Sequence, residues 1–338
     1  MAEEIVPYHP MTAVERQEML EAVGVDSAEE FLRDIPSSLR NPKIALAEPF
    51  SEIEIQKRMK QLGAKNKTSA DQLSFLGAGC YEHFIPAAVA QIAGRPEFYT
   101  AYTPYQPEAS QGTLQAIYEY QSLVTELTGL DVSNASHYDG ATSLAEAAIL
   151  AVRHTDRTQV IISKSVHPDY RRVLATYLHG TPYKILELDC SPENTFDRKA
   201  LTELINEKTA CVVIQSPNFF GVVEDLDGIS EMCHMKGALF IMVSNPLSLA
   251  VLKSPGEWGA DLAVGDGQPF GIPMTFGGPL LGYFAATRTL MRKIPGRLAG
   301  MTQDSDGKRA FCLTIQGREQ HIRRERASSN ICTNQALC

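Results

Sequence analysis

The side chains best suited to orient a small ligand crowd into one short stretch: Tyr102, Tyr105, Gln106, Glu108, Ser110 and Gln111. Tyr81, Glu82 and His83 form a second such group. Polar, aromatic, Pro-rich segments of this kind serve either as binding loops or as plain solvated loops. Gly140-Ala-Thr-Ser143 stands before an Ala-rich run. Free N–H groups at a helix start, with hydroxyls beside them, suit a phosphate; a well-capped helix is the commoner use of such residues. His167 follows one apolar run and opens the next helix, and Asn218, with Phe219 and Phe220, follows another. In an open parallel sheet, ligands bind beyond the carboxyl ends of strands. An imidazole there stacks on a flat ring, moves a proton or simply caps the helix. The Gly-rich stretch 265–278 matches neither nucleotide-loop pattern. His9, His137, His154, His179, His234 and His321 show no metal-ligand spacing, so structural roles are expected for them.

These residues need a frame. Ser27 with Glu30 and Ser51 with Glu54 have capping-box spacing, so residues 1–100 read as a helical arm with loops. A strong helix is expected over Gln111–Thr128, where Leu114, Ile117, Tyr118, Val124 and Leu127 recur at helical spacing before Gly129. Ser143 with Glu146 is expected to open an Ala-rich helix. Alternation follows. Strands are expected at 159–163, 184–188, 210–215 and 239–243, and helices at 168–178, 197–207 and 226–236. Two more short apolar runs, 261–264 and 280–285, flank the Gly/Pro-rich loop. Strand and helix alternating at this spacing make a mainly parallel sheet covered by helices, placed at 101–320. Residues 321–338 read as the start of a small C-terminal domain, and the chain is expected to continue past Cys338 because no closing element appears.

Composition narrows the function classes. The 338 residues carry 40 acidic and 31 basic side chains, a formal charge of -9, which disfavours a nucleic-acid partner. The seven cysteines include no C-x-x-C pair and read as free thiols in a reducing compartment. Met1 to Pro10 has no apolar run and no stretch is long and apolar enough to span a bilayer, so a cytoplasmic location is expected.

Five runs then carry a family resemblance: Gly77-Ala-Gly-Cys-Tyr-Glu-His-Phe-Ile-Pro86, Thr103-Pro-Tyr-Gln-Pro-Glu-Ala-Ser-Gln-Gly112, Ser133-Asn-Ala-Ser-His-Tyr-Asp-Gly-Ala-Thr142, Gln215-Ser-Pro-Asn-Phe-Phe-Gly221 and Ser329-Asn-Ile-Cys-Thr-Asn-Gln-Ala-Leu337. In order and over essentially the whole chain, they resemble glycine decarboxylase, the P component of the glycine cleavage system, and in particular the first chain of its two-subunit bacterial form. The resemblance implies an α/β fold of the fold-type I pyridoxal-phosphate-dependent group, with a mainly parallel seven-stranded sheet between helices and an N-terminal helical arm. It also implies glycine as substrate, a second subunit, and a lipoylated H component that accepts the aminomethyl group.

The departures from that family are as informative. Gln268 stands where the lysine that bonds the cofactor is expected, and Ser244 where an Asp should meet the pyridine nitrogen. An amide cannot form an imine and a neutral hydroxyl cannot hold a pyridinium proton. Thr142, Ser143, His167 and Asn218 then read as a vestigial cofactor site. Pyridoxal phosphate is expected on the partner subunit, with no covalent link to this chain. His83, Tyr105, Gln106, Glu108, Ser110 and Gln111 read as interface residues that position glycine and the lipoyl arm. Two other readings compete. A self-sufficient lyase or aminotransferase would use another lysine, Lys253 being nearest, and would show the absorption of a lysine-bound cofactor on its own. A purely structural homologue would tolerate loss of Tyr105 and Glu108 without loss of activity.

Overall fold

The computed structural model describes residues 11–40, 42–43, 45–69, 71–275, 278–329 and 331. His9, Cys332, Cys338 and most of the run after Ser329 lie outside the described residues. The chain divides into two compact units, Met1–Thr68 and Ser69–Cys338.

The first unit carries helices α1 (Ala13–Val23) and α2 (Glu52–Gly63). Thr12 and Glu15 form the capping box of α1, and Gly24, at φ 81°, ends it in the left-handed conformation that glycine adopts without strain. Ser51 accepts from the Glu54 N–H and Glu54 accepts from the Ser51 N–H, as the spacing predicts. The Ser27–Glu30 pair opens only a 3-10 turn, Ala28–Leu32. Neither helix buries a side chain, and Val14, Ile53 and Met59 are exposed.

The second unit begins with a loop and two short helices, α3 (Ala87–Ala93) and α4 (Pro96–Tyr99), followed by α5 (Gln111–Thr128). The sheet strands are β1 (Val132–Ser133), β2 (Gln159–Ser163), β3 (Lys184–Leu188), β4 (Thr209–Gln215), β5 (Leu239–Val243), β6 (Leu262–Asp266) and β7 (Gly282–Ala286). Between them run α6 (Gly140–Thr155), α7 (Pro168–Leu178), α8 (Arg198–Leu204) and α9 (Ile229–Met235). The order across the sheet is β1-β7-β6-β5-β4-β2-β3. Neighbours from β6 to β3 pair in parallel, and β7 runs antiparallel between β1 and β6. This is the expected mainly parallel, seven-stranded fold-type I sheet.

β4 reads Thr-Ala-Cys-Val-Val-Ile-Gln, a nearly continuous apolar run, because both of its faces are covered. One face packs α6 and α7 through Leu144, Ala148, Ala151 and Leu174 against Val160, Val213 and Val264. The small side chains of α6 let that helix lie close to the strands. The other face packs α8 and α9 through Leu201, Ile229 and Cys233 against Val212 and Phe240.

Several boundaries differ from the sequence-based expectation. α6 starts at Gly140 rather than Ser143, because Asp139 is the N-cap and pairs with Thr142 in the capping box. A carboxylate caps as well as a hydroxyl does, so the earlier start loses nothing in capping. β6 extends to Asp266, and α8 and α9 are shorter at both ends than the apolar pattern implied. A hairpin of β8 (Leu298–Gln303) and β9 (Arg309–Thr314), packed on α5 through Phe311 and Leu313, and a short helix α10 (Gln320–Arg323) were not legible as elements.

Candidate functional site

Strands β2, β4, β5 and β6 end along one edge of the sheet. The strand order reverses between β2 and β4, the position where open α/β sheets bind ligands. Gln215 closes that crevice: its Oε1 accepts from the His167 N–H at 2.8 Å. Asn218 is also committed. Its Nδ2 donates to the Asn194 carbonyl and to Glu224 Oε1, each at 2.8 Å, while its Oδ1 accepts from the Phe220 and Val222 N–H groups. Glu224, buried, accepts as well from Ser165 Oγ at 3.0 Å.

The start of α6 is filled in the same manner. Asp139 Oδ1 accepts from the Thr142 N–H at 2.7 Å, and the Thr142 and Ser143 hydroxyls donate back to the Asp139 carbonyl. Asp266, from the end of β6, accepts from the Gly140 N–H at 3.3 Å and from the Gln268 N–H at 2.8 Å. A carboxylate thus sits where the helix start would welcome an anion. Burial raises the Asp266 pKa to about 6; the two N–H donors pull it down and neighbouring Asp139 pushes it up. Tyr170 presses on the same point, since a Cβ at Gly140 would lie 2.0 Å from its phenolic oxygen. Burial, followed by the Asp266 charge, raises the Tyr170 pKa.

His167 has its ring between Tyr170 and Phe219, with centroids 5.1 and 5.0 Å away. Nδ1 accepts from the Asp169 N–H, capping α7, and Nε2 lies 2.9 Å from the Ala78 carbonyl, to which it donates. The turn at Gly77–Tyr81 therefore lies against the Nε2 edge of the ring; Gly79 has φ +91°, and a Cβ there would come within 3.3 Å of His167. The same turn is held by Gln268, whose Nε2 donates to the Tyr81 carbonyl at 3.1 Å and to the Ile272 carbonyl at 2.6 Å. Its Oε1 is buried without a partner. Ser244 Oγ donates to Tyr283 Oη at 2.7 Å, and Tyr283 donates to the Ser244 carbonyl at 2.8 Å.

The other predicted cluster is open. Tyr105, Gln106 and Glu108 are exposed and Ser110 and His83 half-buried. His83 Nε2 has no partner. Arg297 reaches Tyr105 from 192 residues away: Nη2 donates to its phenolic oxygen at 2.7 Å, and the guanidinium lies 5.2 Å from the ring centroid. Gln111 differs from its neighbours. Its amide exchanges hydrogen bonds with both backbone groups of Phe311 at 2.8 Å and donates to the Pro107 carbonyl, fixing α5 to β9. Beside Tyr105 lies a cavity of about 230 Å³, lined also by Arg297, Arg318, Glu319, His321 and Ser329.

Among the described residues no group of histidines, cysteines and carboxylates could hold a metal, and no helix is long and apolar enough to cross a membrane. Cys80, Cys190, Cys211, Cys233 and Cys312 are free. His137 is buried against Phe284 and burial lowers its pKa to about 3, so it stays neutral. Lys253 sits with its ammonium 4.2 Å over the Trp258 ring. The residues that sequence reasoning missed are Asp266, Tyr170, Gln215 and Arg297. Asp266 and Gln215 had a legible signal, as polar groups closing apolar strands; Tyr170 and Arg297 had none.

The profile of the glycine cleavage system P-protein family matches residues 7–338. The chain is 53% identical over 332 residues to a probable glycine dehydrogenase (decarboxylating) subunit 1 of Desulfitobacterium hafniense, covering 98% of this chain and 74% of that protein. A like-named protein of Brevibacillus brevis is 53% identical over 331 residues, with the same coverage. A solved structure titled as glycine decarboxylase (P-protein) of the glycine cleavage system, in inhibitor-bound form, matches with a TM-score of 0.91 at 47% identity, over 98% of this chain and 74% of that one. A Burkholderia pseudomallei sphingosine-1-phosphate lyase, at 11% identity and a TM-score of 0.55 over 82% of this chain and 67% of its own, shares the fold alone.

Proposed function

Because the chain belongs to the glycine cleavage system P-protein family, we propose that it is subunit 1 of a two-subunit glycine decarboxylase, holding no cofactor itself and completing an active site carried by its partner. The enzyme would release the glycine carboxylate as carbon dioxide and pass the aminomethyl group to the lipoyl arm of the H component. In the partner, pyridoxal phosphate supplies the electron sink for that loss.

One observation carries this reading. At the position of the cofactor lysine, Gln268 presents an amide whose nitrogen is already engaged by two carbonyls of its own chain. The surrounding residues do not fit pyridoxal phosphate. Its phosphate would meet the carboxylates of Asp266 and Asp139 at the start of α6. Its ring would have to displace the aromatic packing of Tyr170 and Phe219 on His167, whose Nε2 edge is already taken by the turn at Gly77–Tyr81. Its nitrogen would find Ser244 bonded to Tyr283. The alternative lysine, Lys253, is engaged with Trp258.

The interface half of the proposal rests on the open surface. Leu73, Phe75, Leu76, Phe84, Tyr102 and Tyr105 are all exposed within the segment that carries His83 and Glu108. Exposed apolar side chains in such density fit a surface covered by another subunit. There Tyr105, Gln106, Glu108 and Ser110, with His83, would orient glycine and the lipoyl arm and exclude water. Gln111 would act indirectly, by holding the start of α5. In this reading residues 321–338 open a small C-terminal domain, and the complex works in the cytoplasm.

The test is glycine-dependent exchange of labelled carbon dioxide in the presence of lipoylated H component. The purified chain should be inactive and colourless, and activity should appear on adding the second subunit. Mass spectrometry that found pyridoxal joined to a lysine of this polypeptide would overturn the proposal.

A further inference from the structure

The Gln268 side chain, buried at the end of β6, ties two distant stretches of chain together. Its backbone N–H donates to Asp266 Oδ1 at 2.8 Å, which fixes the turn Gln268–Phe270 on the sheet edge. From there Nε2 donates to the Ile272 carbonyl of its own loop and to the Tyr81 carbonyl, 187 residues away in sequence. Just before Tyr81, the Ala78 carbonyl accepts from His167 Nε2 at 2.9 Å. Beyond His83, Val89 of α3 packs on Gly271, where a Cβ would come within 3.0 Å of Val89 Cγ1. His83 is thus bracketed by contacts that start from the carboxyl edge of the sheet.

The segment depends on those contacts. Gly77, Ala78 and Gly79 stand at φ 65°, 63° and 91°. Glycine adopts that region freely, but Ala78 does so against the crowding of its own Cβ. A strained backbone of this kind persists where its surroundings fix it. Apolar packing does not supply the fixing, because Leu73, Phe75 and Leu76 before the turn and Phe84 after it are exposed. The polar anchors from His167 and Gln268 do. His83, two residues past the Gln268 anchor, is half-buried, and its Nε2 is shielded from solvent.

We propose that Gln268 is a positioning residue: its amide anchors the Gly77–Tyr81 turn to the sheet edge and so sets where His83 stands at the subunit interface. The proposal rests on the role of His83 given above. The carboxyl edge then serves the reaction as a support for that ring, although it holds no cofactor.

Two substitutions at one position test it. Gln268→Met keeps the length and removes the donor, whereas Gln268→Lys restores donation to both carbonyls. Diethyl pyrocarbonate labelling of the full chain, mapped by mass spectrometry, follows His83, while His137, buried against Phe284, reports global unfolding. Q268M should raise His83 labelling about tenfold, the scale of one lost hydrogen-bonding side chain, and leave His137 unlabelled. Q268K should return it toward the wild-type rate. In the complex reconstituted with the second subunit, Q268M should lower kcat for glycine-dependent carbon dioxide exchange about tenfold, and Q268K should recover most of it. Adding Q268M to His83→Ala should cause no further loss, because the amide acts through that ring. Unchanged His83 labelling in Q268M, unchanged activity despite raised labelling, or losses that multiply in the double variant would each overturn the proposal. A wild-type complex that is inactive, or insensitive to H83A, would instead sink the function proposed above, and the positioning role with it, whatever the labelling shows.

Discussion

At the carboxyl edge of the sheet, Thr142, Ser143, His167, Asn218, Ser244 and the Gln268 amide nitrogen all have partners inside the chain. Around Tyr105, by contrast, Gln106 and Glu108 face solvent, and Arg297, Arg318 and Glu319 line a cavity of about 230 Å³. Both regions belong to one unit and use similar residue types. The difference lies in saturation. Where internal groups have taken nearly every donor and acceptor, Gln268 Oε1 excepted, a ligand must break bonds to enter; where groups face solvent, a ligand replaces only water.

That contrast can be broken most sharply at Gly140. Gly140→Ala would push a methyl group into Tyr170 and should cost about 3 kcal/mol, as overpacking of a tight site does. Urea unfolding measures it; a change under about 0.5 kcal/mol would mean the edge is loosely packed after all.

Asp266→Asn probes the electrostatics of the same edge. A carboxyl held at about 6 when folded favours folding most while both states are protonated, below about pH 4, and that contribution is lost as pH rises through 6. The stability of wild type relative to D266N should therefore fall by about 2–3 kcal/mol between pH 4 and pH 7. Comparing the two proteins cancels the opposite trend from His137, whose depressed pKa favours folding above about pH 6.5. A flat difference would show that Asp266 is solvated.

The smallest effect on stability is expected at the open surface. Tyr105→Phe loses one half-exposed hydrogen bond from Arg297 but keeps the ring beneath it, so unfolding should change by less than about 1 kcal/mol. The same variant should lower the activity of the reconstituted complex about tenfold if Tyr105 orients substrate. Unchanged activity would favour a purely structural chain.

Much of this was readable from local sequence. α5 and α7 run where their apolar spacing and flanking Gly or Pro placed them. Ser51 caps α2 through Glu54 as the four-residue pattern requires. That Gln268 has no amine and Ser244 no charge was visible too, and the reading of these two as standing where the family's lysine and aspartate are expected came from the resemblance. The start of α6 was misread because Ser143–Glu146 and Asp139–Thr142 compete as caps within one turn, and propensity alone does not separate them. The hairpin β8–β9 escaped because Gly, Met, Thr and Gln in its first strand alternate too weakly to mark a face.

The sequence by itself determined the periodic elements, their caps and the absence of an amine at position 268, since these depend on residues within a turn or two of each other. Only the tertiary structure decided what fills the space that remains. Asp266 reaches Gly140 across 126 residues, Gln268 reaches Tyr81 across 187, and Arg297 reaches Tyr105 across 192. Such pairings follow from strand order and helix packing, which no local pattern encodes, and they separate the filled edge of the sheet from the open cavity.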